Sequence, residues 1–169
     1  DLHSFPTRRS SDLDLYKYRS SYEQIAKTIA KFSSVPGLDL VNFYEMVMFC
    51  WLTGNNDMHL KNFSLLSQKR GEYELSPAYD LLNVAIANPN DKEELTLTLN
   101  GKKSRITRND FVEAAGKSSV SEVIVKRLIS NFEKCVPAWV QKIDVSFLSD
   151  EMKEKYVELV YDRIGRIME

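Results

Sequence analysis

The sequence predicts a mainly helical α+β domain, with a short hairpin set between a buried helix and a series of amphipathic helices. Three observations carry this. Apolar residues recur at helical spacing over four long stretches, two short apolar runs flank Lys69-Arg70-Gly71, and a period-two run from Leu95 to Leu99 ends in Asn100-Gly101. A chain of 169 residues with 43% hydrophobic content buries one core, so one compact domain follows.

Ser20-Ser21-Tyr22-Glu23 is a capping start, and Tyr22, Ile25, Ala26, Ile29 and Ala30 follow on one helical face. This helix is expected to end near Ser33, with Pro36-Gly37 as the breaker. A second helix is predicted from about Asp39 to Leu52. FYEMVMFCWL is apolar on nearly every face, which marks a buried core helix. Gly54 ends it and Asn55-Asn56 open a loop. The runs 63–67 and 73–76 read as a β-hairpin, and 95–99 as a strand leading into a turn. Thr107-x-x-Asp110 caps a short helix. Another runs from Ser121 to about Ile143, with Val123, Ile124, Leu128, Ile129, Phe132 and Val136 expected on its buried side and Pro137 as a kink. Residues 149–168 form a final amphipathic helix. The total is about five helices and three or four short strands.

Asp1 to Leu13, DLHSFPTRRSSDL, resembles the in-frame translation of a DNA-sequencing adapter rather than natural protein. It is therefore set apart as a non-native tail, and residues 14–169 as the natural domain. On this reading Arg8 and Arg9 are no basic arm, His3 is no ligand, and the natural reading frame extends upstream of residue 14. No Met precedes Met46, which agrees with that expectation.

Composition narrows the function. Net charge is -1, and no block of like charges exceeds three residues, which gives no support for a nucleic-acid-binding surface. Cys50 and Cys135, 85 positions apart, form neither a disulfide framework nor a metal clip. Both lie in apolar helical patterns, so buried free thiols in a reducing compartment are expected. No apolar run approaches the roughly 18 residues that span a bilayer, and the start has no signal-peptide pattern. Together these predict a cytoplasmic domain.

The chemistry concentrates in Gly54-Asn55-Asn56-Asp57-Met58-His59-Leu60-Lys61-Asn62-Phe63, followed by Ser76-Pro77-Ala78-Tyr79-Asp80-Leu81-Leu82. These are loops held by rigid elements, where catalytic groups are commonly placed. Asp57 precedes Asn62 by five positions, and Asp80 lies just past the hairpin. That is the spacing of phosphoryl-transfer loops, in which the first Asp accepts the substrate hydroxyl proton while the Asn and second Asp hold magnesium. Each residue also has an ordinary reading. Asp57 can be a turn former, Asn62 can bond its own backbone and Asp80 can cap a helical turn. His59 can be a structural hydrogen-bonding histidine, and Lys61 a solvated charge. Their joint occurrence in a helix–loop–hairpin–loop context favours the catalytic reading.

GNNDMHLKNFSLL followed by LSPAYDLLNV resembles the catalytic and metal loops of the HipA-family serine/threonine kinases, toxins of bacterial toxin–antitoxin pairs. LNGKKSRITRNDF and the closing W-x-x-x-I and SFLSDEMKEKY segments resemble the C-terminal helical lobe of that family. The resemblance implies a kinase-like C-lobe over residues 14–169. It implies Asp57 as catalytic base, Asn62 and Asp80 as magnesium ligands, and His59 and Lys61 as loop residues flanking the ATP phosphates. It further implies an aminoacyl-tRNA synthetase as substrate and a HipB-type antitoxin as partner, with DNA reached only through that antitoxin. The family's phosphate loop with its autophosphorylated serine, and its ATP-anchoring lysine, have no counterpart in residues 14–56, so the fragment is expected to be inactive alone. Two alternatives stand beside this. One is a non-catalytic module that binds an antitoxin or a separate N-lobe; the other is a divalent-metal hydrolase built on Asp57, His59, Asn62 and Asp80.

Overall fold

The computed structural model describes residues 2–4, 17–88 and 90–169 of the chain. Arg8 and Arg9 lie outside the described residues. The elements are β1 (Leu2–Ser4), α1 (Tyr22–Phe32), α2 (Pro36–Leu52), a 3-10 turn (Leu60–Asn62), β2 (Ser64–Lys69), β3 (Glu72–Leu75), α3 (Arg108–Gly116), α4 (Glu122–Asp144) and α5 (Asp150–Met168). The fold class is therefore mixed and mainly helical, with one small sheet of order β1-β2-β3. Both pairings are antiparallel. Leu2 lies opposite Leu66 in the first, and Leu65 opposite Leu75 in the second.

α1 begins where Ser21 accepts a bond from the Gln24 N–H at 3.2 Å, so one of the orphan amides of the first turn is satisfied. α2 starts three residues before the predicted Asp39. Pro36 opens the helix instead of only breaking its predecessor, because a first-turn amide needs no helical partner and proline's fixed φ suits that position. Asp39 then ties α2 to the hairpin, accepting from Leu75 N at 2.8 Å and Ser33 Oγ at 2.7 Å.

The core surrounds α2. Phe43, Tyr44, Val47, Met48, Cys50, Trp51 and Leu52 are all buried on it, as its all-round apolar sequence predicts. Tyr22, Phe43, Tyr44 and Phe63 form a chain of aromatic contacts with ring centres 5.2–6.4 Å apart. Above it, the Tyr22 hydroxyl donates to the carbonyl of Met58, inside the catalytic-type loop, at 3.1 Å.

α5 fastens the far end of α2. Arg163 donates to the Trp51 carbonyl, and the Arg163 and Arg166 guanidinium groups lie over the Trp51 ring at 5.6 and 5.2 Å. Glu94 completes the cluster, accepting from Trp51 Nε1 at 3.0 Å, Ile106 N at 3.1 Å and Arg166 Nη1 at 2.9 Å. Burial alone would raise its carboxyl; these donors and the Arg166 charge reverse that and hold it below the usual range. Burial drives the Arg163 guanidinium down to about 10, which leaves it charged at neutral pH.

Three expectations need correction. The run 95–99 is no sheet strand; it forms only isolated bridges, Ser21 to Thr98 and Leu99 to Lys102. Leu95, Leu97 and Leu99 are buried, as is Thr96 between them, so the alternation records packing without a partner strand. The turn beyond it forms as expected, with Asn100 and Gly101 both at positive φ. Val123 is 74% exposed at the start of α4, where Val125 takes the buried position instead. Pro137 lies within α4, which continues unbroken to Asp144. Cys50 is a buried free thiol, pushed up to about 12 by burial, whereas Cys135 is an exposed one. No helix among the described residues is long and apolar enough to cross a membrane.

Candidate active site

The site is built outward from the end of α2. Thr53 closes the helix with an N–H bond to the Phe49 carbonyl at 2.9 Å, and Gly54 turns the chain at φ +81°. Glycine is required here twice over. The backbone is left-handed, and a Cβ would lie 2.7 Å from Asn83 Oδ1 on the loop that follows Asp80. Across this close approach the Gly54 carbonyl accepts from both Val84 N and Ala85 N at 3.0 Å.

Asn55 is 2% exposed, and Asn56 is also buried. Asn55 Nδ2 donates to the Asp80 carbonyl at 3.1 Å, and its Oδ1 accepts from Asp57 N at 3.3 Å. Asn56 Nδ2 donates to Asp91 Oδ2 at 3.2 Å and to the Glu93 carbonyl at 3.1 Å, while its own carbonyl accepts from the Thr96 hydroxyl. The loop is thereby held from both sides, and Asp57 projects from it exposed.

Asn62 ends the 3-10 turn and is only 3% exposed. Its Oδ1 accepts from His59 N at 3.1 Å, and its Nδ2 donates to Asp80 Oδ2 at 2.7 Å. Asp80 adopts a left-handed φ of +58°, which is uncommon for a residue with a side chain. The preceding Tyr79 donates its hydroxyl to the Lys61 carbonyl at 2.8 Å, so the two loops also meet there.

Of the predicted site residues, Asn62 and Asp80 are in direct contact, and Asp57 is joined to Asp80 through Asn55. His59 lies on the same loop, half-buried, its ring edge-on to Tyr18 with centres 5.7 Å apart. Burial lowers its pKa below the ordinary histidine value; nearby Asp57 opposes that shift, and Lys17 and Lys61 add to it. The Lys61 side chain is exposed at the loop surface. Asp80 offers a carboxylate, a hard oxygen donor that magnesium takes together with phosphate oxygens and water. Asn62 turns its Nδ2 to that carboxylate and its Oδ1 to His59 N, so it fits the ion through the remaining Oδ1 lone pair.

Four contributors escape a motif reading: Asn55, Asn56, Tyr79 and Asn83. Asn55-Asn56 look like loop openers because amides favour turns. The usable signal is two amides directly between a wholly apolar helix and an Asp, where buried polar groups must find partners. Nothing local marks Asn83, whose role comes from packing against Gly54.

The model of the HipA-like C-terminal domain matches residues 4–140 of this sequence. The chain belongs to that family. Among curated relatives, "Putative kinase Y4dM" of Sinorhizobium fredii is 32% identical over 112 residues, covering 65% of this chain and 27% of its own length. A "Putative kinase" of Haemophilus influenzae is 28% identical over 125 residues, covering 64% of this chain and 36% of its own. This HipA-like chain thus spans about a third of the length of the relatives it matches. Among solved structures, the Shewanella oneidensis HipA, HipB and operator DNA complex aligns with a TM-score of 0.70 at 20% identity, covering 97% of this chain and 39% of that one. The Helicobacter pylori proinflammatory kinase CtkA aligns at 0.60 with 19% identity, covering 99% and 65%. At such identities these two show the fold alone, which is kinase-like.

Proposed function

We propose that residues 14–169 are the C-terminal catalytic lobe of a HipA-like serine/threonine protein kinase, which transfers the ATP γ-phosphoryl group to a protein hydroxyl. The observation that carries this is the 2.7 Å contact between Asn62 and Asp80, with Asp57 held on the adjoining loop by Asn55. Asp57 accepts the proton of the attacking hydroxyl. Asn62 and Asp80 hold magnesium, which when bound neutralises charge on the phosphates. His59 and Lys61 flank those phosphates, with Lys61 supplying positive charge.

In this proposal the nucleotide clamp comes from residues outside this chain, which agrees with relatives of which the matched part is 27% and 36%. The isolated chain is then inactive and binds ATP weakly. The substrate is an aminoacyl-tRNA synthetase, the compartment the cytoplasm and the partner a HipB-like antitoxin, through which alone DNA is reached. Support for the partner is the likeness to a HipA structure that contains HipB and operator DNA.

The test is phosphoryl transfer by the protein of the extended reading frame. Asp57→Asn is expected to lower kcat by about 10²-fold or more while ATP binding persists, since it removes the proton acceptor. Asp80→Ala is expected to weaken magnesium-dependent ATP binding itself. Wild-type transfer rates in both variants would sink the assignment. Magnesium-dependent nucleic-acid cleavage that Asp57→Ala abolishes would favour the hydrolase instead.

A further inference from the structure

The two loops of the site have different duties, and one side chain bonds to both. Asn55 is 2% exposed and lies between them. Its amide orientation is fixed by its neighbours. Asp57 N–H can only donate, so the atom facing it is Oδ1; the Asp80 carbonyl can only accept, so the atom facing it is Nδ2. One orientation satisfies both contacts.

Asp80 needs such a partner more than an ordinary loop residue does. Its φ of +58° is unfavourable for a residue with a Cβ and persists only where surroundings over-determine it. Asn62 holds the carboxylate, and Asn55 holds the main-chain carbonyl of the same residue. The carboxylate is exposed, so it has little packing of its own to keep it in place.

We infer that Asn55 is a positioning residue that makes the proton-accepting loop and the ion-holding loop one unit, so that the placement of Asp80 and the placement of Asp57 are set together. The inference rests on the kinase reading for its functional consequence, but not for its structural one. Asn55 touches no reacting atom; it acts through the Asp57 amide and the Asp80 carbonyl.

Two variants of the full chain separate its bonds. Asn55→Ala removes both. Asn55→Ser keeps a short hydroxyl that can accept from the amide two residues on, yet cannot reach the Asp80 carbonyl. Amide exchange by NMR is expected to be about tenfold faster at Asp57 in Asn55→Ala and near wild type in Asn55→Ser, the scale of one lost hydrogen bond. Both variants are expected to shift the Asp80 backbone resonances away from left-handed values, with α1 and α2 resonances unchanged except around Cys50, whose Sγ lies 3.9 Å from Asn55 Nδ2. In a Mn2+ titration read by broadening at Asn62 and Asp80, both are expected to bind about tenfold more weakly.

Folded Asn55 variants with wild-type exchange at Asp57, wild-type Asp80 resonances and wild-type Mn2+ affinity would overturn the inference. If Asn55→Ala does not fold, Asn55→Ser alone decides through Asp80 and Mn2+. Wild-type chain that shows no Mn2+ broadening at Asn62 or Asp80 would sink the magnesium reading, and the exchange and Asp80 readouts would still decide the coupling.

Discussion

Replacing Gly54 with alanine tests whether the two loops are held by their close approach. The substitution adds one methyl group at φ +81°, a backbone that costs a residue with a Cβ roughly 1–2 kcal/mol. It also places that methyl 2.7 Å from Asn83 Oδ1, which must move. Asn83 Oδ1 accepts from Ile86 N at 3.0 Å, so the movement sacrifices a hydrogen bond of about 1 kcal/mol. The sum is about 2–3 kcal/mol, or a fall in Tm of roughly 4–12 °C for a chain of this size. Gly71→Ala is the control, because Gly71 has a similar φ of +87° with open space around it and so bears only the backbone cost. Urea denaturation followed by circular dichroism measures both. Adding Asn83→Ala to Gly54→Ala removes the obstructing amide, so the double variant should be more stable than the sum of the single effects by about 1 kcal/mol. Equal destabilisation by Gly54→Ala and Gly71→Ala, with strict additivity for Asn83, would refute the reasoning.

Other predictions concern charge and anchorage. His59, followed by NMR, should titrate below the ordinary value of about 6.5, and Asp57→Asn should lower it further because the Asp57 charge favours the imidazolium. The sign for stability follows. The unfolded chain takes up the proton first on acidification, so any His59 contribution is present above about pH 6.5 and declines as pH falls through that value toward the lower folded pKa. A variant His59→Gln should lose that part of the pH dependence in denaturant melts. Arg163→Ala removes a buried donor to the Trp51 carbonyl and a cation from the Trp51 face, and should cost about 2–4 kcal/mol in the same melts. A change below about 0.5 kcal/mol, ordinary for a surface residue, would show that α5 is no anchor. Glu94 has a lowered carboxyl pKa, so its stabilisation should hold above the unfolded value of about 4.3 and be lost as pH falls through the folded one. The acid limb of the stability curve should flatten in Glu94→Gln.

The helices were legible because burial imposes a period on the sequence, and Ser21, Thr107 and Ser149 mark where three of them begin. Asp57, Asn62 and Asp80 stand out in the sequence as a spacing, and the structure brings Asn62 Nδ2 within 2.7 Å of Asp80 Oδ2. The run 95–99 misled because alternation reports which side chains are buried, while a strand also needs a neighbour to bond, and here only single bridges form. Val123 misled by helical phase at an end, where one position of error rotates a side chain by about 100° and turns burial into exposure. Cys135 carries the same lesson on the outer face of α4. Asn55 and Asn83 were invisible for another reason. Their partners lie on a different loop, and no local pattern encodes a contact across 25 or more positions.

The hook from Arg163 to the Trp51 carbonyl spans 112 positions of sequence. During synthesis, at roughly 5–20 residues per second, the segment that bears Asp57 emerges several seconds before its anchor does. In that interval α2 and the loop contacts from Tyr22, Val84, Ala85 and Thr96 can already form, yet the Trp51 carbonyl still lacks its Arg163 donor. The closing of α2's last turn by α5 therefore comes last. A ribosome-stalled chain ending before Arg163 would carry Asp57, Asn62 and Asp80 with their mutual contacts but without the α5 donor that closes the last turn of α2.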